Sequence, residues 1–194
     1  VDIVISSQYL LLSQGAGINS RTFSPAQGGN ITINATDSIQ LKEFSPINPS
    51  NGSDITTSSF GPGNAGDLNV STRELNIVGQ QLLSVSIESG KGGNVNLFTE
   101  QLKLIDGGVI ASTALGIAEG GDLNINAQSI ELIGVNLDNF TASALSTGSL
   151  GTGEAGNLTI NTGKLILRDG GRVDASTFNS GLAGSVTVNA SESV

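Results

Sequence analysis

Residues 92–113 read GGNVNLFTEQLKLIDGGVIAST, and residues 155–177 read AGNLTINTGKLILRDGGRVDAST. The second stretch repeats the first with substitutions, 63 residues further on. Each opens on a small residue, a Gly and an Asn. Each then alternates aliphatic with polar residues twice, before an Asp-Gly-Gly and a short polar run. Alternation of period two marks a strand with one buried face.

The same opening recurs along the chain. GGN, AGD, GGN, GGD, AGN and AGS place anchors at Gly29, Gly66, Gly93, Gly121, Gly156 and Gly184. With Val1 in the anchor place, the spacings are 28, 37, 27, 28, 35 and 28 residues. A fixed period with occasional insertions is the signature of a solenoid. After the anchor comes a first aliphatic pair, as in Val95 and Leu97 or Leu158 and Ile160. A second pair follows, as in Leu102 and Leu104 or Leu165 and Leu167. A third segment starts 17 residues after the anchor in the regular units, at Ile18, Ile110 and Val173. A further apolar place recurs at Phe23, Leu115 and Phe178.

Each unit thus supplies three short strands and three turns, and none can bury its apolar face alone. Stacked as coils roughly 4.8 Å apart, they enclose a common dry interior. The expected fold is all-β, a parallel β-helix of about six to seven coils over residues 1–194, with insertions near 43–53 and 135–154. A leucine-rich repeat has a similar period but one strand per unit, and no segment here has helical periodicity. The chain opens VDIVISS, without Met or signal peptide, so it is expected to be a piece of a longer repeat protein.

The units quoted above resemble the repeats of filamentous-haemagglutinin-like exoproteins of two-partner secretion, cyanobacterial ones in particular. The resemblance covers essentially the whole chain. It implies a right-handed β-helix, export through an outer-membrane pore, and a secreted or cell-surface location. It further implies the shaft of an adhesin, whose partners are neighbouring coils of the parent chain, that pore, and cell-surface glycans or proteins. The family's secretion-domain motifs are not found in this stretch.

Composition narrows the chemistry. The formal charge is −9, with eight Lys and Arg spread thinly, so no basic stripe exists to neutralise nucleic-acid phosphates. There is no Cys and no His, which removes thiolate metal sites and the commonest general base. No cofactor is expected, and no run of 18 apolar residues could span a bilayer as a helix. The expected function is non-catalytic. The second reading is a polysaccharide-active enzyme or a carbohydrate-binding module on the same fold, which needs acids clustered on adjacent coils.

Asp106 and Asp169 share a place two coils apart, so their backbones are expected about 9.6 Å apart, twice the coil spacing. Their Asp-Gly-Gly context reads as turn chemistry. Arg168, Asp169, Arg172 and Asp174 cluster around one turn, as a ligand site or as a solvated surface network. Asn30, Asn94 and Asn157 share a column with Asp2, Asp67 and Asp122, and are expected to bond local backbone rather than calcium. Asn34, Asn126, Asn161 and Asn189 read as an amide ladder broken by Ser71. Ser20, Ser112 and Ser176 with Thr22, Thr113 and Thr177 mark the third strand as a polar face. The first insertion carries Phe44, Pro46 and Pro49, and the second carries Phe140. Loops raised from a solenoid are where binding concentrates. Phe44 and Phe140 are either exposed anchors or rings tucked back to close their loops. The candidate contact residues are therefore Phe44, Phe140, Asp169, Arg172 and Asp174.

Overall fold

The computed structural model describes residues 1–48 and 50–194; Pro49, in the first insertion, lies outside the described residues. Among them are fifteen strands and no helix. In chain order they are β1 (Ile3–Ser13), β2 (Gly17–Thr22), β3 (Ile31–Lys42), β4 (Asp54–Ser59), β5 (Leu68–Val78), β6 (Gln81–Ser86), β7 (Val95–Ile105) and β8 (Val109–Ala114). Then come β9 (Leu123–Ile133), β10 (Val135–Asn136), β11 (Thr141–Ala142), β12 (Ala144–Ser149), β13 (Leu158–Arg168), β14 (Arg172–Thr177) and β15 (Val186–Ser193). A seven-stranded sheet runs β1-β3-β5-β7-β9-β13-β15, and a six-stranded sheet runs β2-β4-β6-β8-β12-β14. Every pairing in both is parallel, and each strand pairs with its equivalent in the next coil. This is a parallel β-helix of six coils and the first strand of a seventh.

Two sequence segments merge. The first and second aliphatic pairs of a coil lie on one long strand that turns a corner, where pairing lapses for a residue or two before resuming. Thr hydroxyls brace that corner. Thr99 Oγ1 donates within reach of Arg73 O (3.0 Å) and Gln101 O (3.1 Å), and Thr162 repeats the contact to Gln128 O and Lys164 O. The third side of each coil is irregular but still stacked: Ala65 N–H donates to Lys91 O, Gly92 N–H to Glu119 O, and Gly120 N–H to Glu154 O, at 2.7–2.9 Å.

The core consists of aliphatic columns in register. Leu68, Val95, Leu123 and Leu158 align, as do Leu75, Leu102, Ile130 and Leu165, and on the short strands Ile55, Leu82, Ile110 and Leu145. All are buried. Each such side chain contributes about 1.5–3 kcal/mol relative to exposure. At the last coil the same columns open to solvent, and Val186 is 43% exposed.

The anchors explain the vertical spacing. A Cβ on Gly93 would overlap the carbonyl oxygen of Gly66, one on Gly121 that of Gly93, and one on Gly156 that of Gly121. Glycine is required there by the close approach of stacked backbone, not by a left-handed conformation.

The residue after each anchor carries the next bond. Asp2 Oδ1 accepts from Asn30 N–H, Asn30 from Asp67, Asp67 from Asn94, Asn94 from Asp122, Asp122 from Asn157, and Asn157 from Ser185, all at 2.7–3.0 Å. The local-backbone role expected for this column is overturned: each side chain reaches one coil on. Each of these bonds needs only an Oδ1 acceptor, which Asn and Asp both have, so the two alternate freely; at Asn157 the amide adds a donor, Nδ2 reaching Asp122 Oδ1 at 3.4 Å.

The expected amide ladder forms over Asn126, Asn161 and Asn189, at 3.0 and 2.8 Å. Asn34 is cut off from it because Ser71 and Phe98 occupy the intervening places. A second ladder, missed in the sequence, links Asn69, Asn96 and Asn124 at 3.0 Å.

Gly93→Ala is expected to lower unfolding stability by about 1–3 kcal/mol, because the methyl group must displace backbone. A urea melt with an unchanged midpoint would refute the close-approach account. At the next position, Asn94→Asp is expected to keep native stability. Asn94→Leu is expected to lose about 1 kcal/mol by orphaning the Asp122 N–H. Equal losses from both substitutions would show that the Oδ1 contact is incidental.

Candidate functional site

The paired aspartates stand at turns between the sheets. Asp106 and Gly107 both have positive φ (48° and 87°), and Gly108 N–H donates to Ile105 O at 3.0 Å. Asp169 and Gly170 repeat this (52° and 93°), with Gly171 N–H on Arg168 O at 2.9 Å. These are turns of the I′ kind, in which Asp tolerates the left-handed region. Gly134 lies between the two in the stack and leaves room for the Asp106 carboxylate. Asp169 thus serves the turn and does not line the groove described below.

The two insertions land differently. Phe44, 37% exposed, lies with its ring against Gly52 and Gly79, so it tucks back over the turn of the next coil. Buried Gln80 pins that loop by accepting the Ser53 N–H through its Oε1. The second insertion forms its own antiparallel hairpin, β10 with β11, and presents Phe140 at 82% exposure. Phe140 also has φ of +57°. That region costs a non-glycine residue roughly 1–2 kcal/mol.

Both insertions are closed by a buried Ser that sequence reading passed over. Ser53 Oγ donates within reach of Lys42 O (3.1 Å) and Glu43 O (3.2 Å) and accepts from Gly15 N–H. Ser143 Oγ donates to Ile133 O (2.7 Å) and accepts from Gly107 N–H. Each immediately precedes its short strand; that shared position was the available signal.

Phe140 overlooks the outer face of the six-stranded sheet. There β6 turns Gln81, Leu83 and Val85 outward, β8 turns Val109, Ala111 and Thr113, and β12 turns Ala144, Ser146 and Gly148. On the next coil Arg172 and Asp174 continue the first two of these columns. They pair with each other at 3.4 Å, and Ser176 Oγ donates to Asp174 Oδ2 at 3.2 Å. A groove of about 420 Å³ runs over this face, bounded by Phe140 and Thr141 and ending at Arg172. The structure therefore brings Phe140 and Arg172 together, places Asp174 beside Arg172, and leaves Phe44 and Asp169 elsewhere.

The polar face expected of the third strand is reassigned. Ser20 and Ser112 share an inward column and are buried, whereas Ser176 and Thr113 face outward. Position by position, the outward face of the three middle strands carries no charge. The long strands of the same coils carry Arg73, Glu74, Glu100, Lys103 and Glu131. At the corner of the first coils the Gln8 amide donates to Asp37 at 2.7 Å and, with the Tyr9 phenol, holds this carboxyl below its usual range. The Asp37 carboxylate in turn pushes the Tyr9 phenol up. Both groups are solvated, and Arg73 at 3.7 Å completes a surface network of small energetic worth.

No family model matches the chain, and no curated protein or solved structure matches it.

Phe140 gains little by burial where it stands and sits in a costly conformation. Phe140→Gly is expected to raise unfolding stability by about 1 kcal/mol, through relief of the left-handed φ. A drop of that size in a thermal melt would instead make Phe140 a structural prop of the hairpin.

Proposed function

We propose that this chain is a rigid, non-catalytic shaft segment of a secreted or surface-exposed adhesin, of the filamentous-haemagglutinin-like kind exported by two-partner secretion. The observation that carries the reading is the unbroken vertical bonding. Backbone ladders on all three sides of each coil, plus the Oδ1 column, tie every coil to the next. Such a stack resists bending, and the core repeats without change along its length. It holds whatever lies at its far end at a fixed distance. A chain without Cys also crosses a pore unfolded with no disulfide to obstruct it.

In this reading the partners are neighbouring coils of the parent chain, the outer-membrane pore during export, and cell-surface glycans or proteins at the outer face. The competing reading is a polysaccharide-active enzyme. It is disfavoured by the placement of acids: Asp106 and Asp169 stand on alternate coils, with Gly134 between them, so they do not pair on adjacent coils.

Expression of the parent protein with and without its partner pore tests the export reading. The segment is expected to be degraded by protease added outside intact cells only when the pore is present. Protection in both cases would sink it. Incubation with neutral and acidic polysaccharides is expected to release no reducing ends, and turnover that co-purifies with the chain would favour the enzyme.

A further inference from the structure

We propose that the outer face of the six-stranded sheet, between Phe140 and Arg172, binds a neutral oligosaccharide lying along the axis of the rod. Three observations converge on it. The first is charge. In a chain of net charge −9, the seven outward places on β6, β8 and β12 that stay open to water (Gln81, Leu83, Val85, Val109, Thr113, Ser146 and Gly148) carry none. A polyanion gains nothing there, and the surrounding acidity repels it.

The second is the character of the floor. Leu83 and Val109 supply apolar surface, and Gln81, Thr113 and Ser146 set an amide and two hydroxyls among them. A pyranose has the matching make-up, apolar C–H faces rimmed by hydroxyl groups. A protein partner with a dry apolar patch would find this floor broken by polar groups. A peptide strand would find no free edge, because β6, β8 and β12 are each paired on both sides.

The third is the wall. Phe140 stands 82% exposed in a left-handed conformation at the rim of the groove. An aromatic ring held in solvent at a conformational cost is unexplained by stability and suits stacking against a sugar face. At the far end the Arg172–Asp174 pair offers donors and acceptors together with no net charge. Sugar hydroxyls need both. The groove volume of about 420 Å³ lies within the range of ligand sites, roughly 300–1,000 Å³. From β6 to β14 is three coil steps, roughly 14 Å, so an extended chain can lay successive sugars over successive coils.

The inference rests on the glycan-partner part of the adhesin reading and narrows it to a neutral sugar on this face; the export reading fails or stands separately, by the protease test. Titration calorimetry of the whole chain with neutral hexasaccharides of glucose and xylose, in α- and β-linked forms, against a hexagalacturonate tests it. At least one neutral hexasaccharide is expected to bind, and the acidic one to bind more weakly. Phe140→Ala is expected to weaken binding about tenfold, equivalent to about 1.4 kcal/mol. Ser146→Arg fills the groove from a half-buried outward position and is expected to abolish binding. Circular dichroism and melting of both variants establish that they fold. Four results would each overturn the proposal: no neutral hexasaccharide binding at millimolar concentration, binding that survives both substitutions, preference for the galacturonate, or a wild-type dimer that Ser146→Arg turns into monomer.

Discussion

Stacked backbone meets most closely at the anchor glycines, and the order of the molecule follows from that meeting. With no Cβ at Gly66, Gly93, Gly121 or Gly156, the carbonyl of one coil sits against the Cα of the next. One residue later the Oδ1 of an Asn or Asp takes the N–H of its counterpart. The two contacts fix height and register together. Once they are made, the next aliphatic residue has one place to go, over its equivalent in the neighbouring coil. A slip by one residue would turn every aliphatic side chain of that strand outward.

That dependence explains what was legible in the sequence. The anchors and the aliphatic pairs are fixed by geometry that tolerates few residue types, so they recur visibly. Counting 17 residues from Gly93 and from Gly156 reaches Ile110 and Val173, which share a column in the structure. Matching strings was less reliable. IAST and DAST look equivalent, yet one extra residue precedes the second. Ser112 therefore aligns through Thr147 with Ala175, and Ser176 falls on the opposite face. Parity from the anchor was the true guide. The merging of two segments into one strand was not legible either, because a corner of one or two unpaired residues leaves no compositional mark. The Thr hydroxyls that brace it are ordinary surface residues in the sequence.

The insertions show the other limit. Their existence follows from spacing, but their landing depends on contacts with other coils. Phe44 finds two glycines, Gly52 and Gly79, that leave space for its ring. Phe140 sits on a hairpin of two-residue strands and stays out in solvent. Nothing near either Phe in the sequence separates these outcomes. The closing serines do recur in place, Ser53 and Ser143, because each insertion must hand the chain back to the same lattice.

A solenoid therefore separates two kinds of position. Inward columns are held by the core, and anchors by backbone contact. Outward positions answer to neither, and water accepts almost any polar residue there. An acidic chain left to drift would scatter carboxylates over all its faces, as the long strands do with Glu74, Glu100 and Glu131. The short strands of the same coils stay neutral across their whole outward face, and a strained aromatic ring stands at its edge. Folding accounts for Ala111 and Ala144, which are buried on that face, but not for the exposed ring. Where the lattice leaves a choice open, the sugar contact proposed for that face gives its exposed residues a common role.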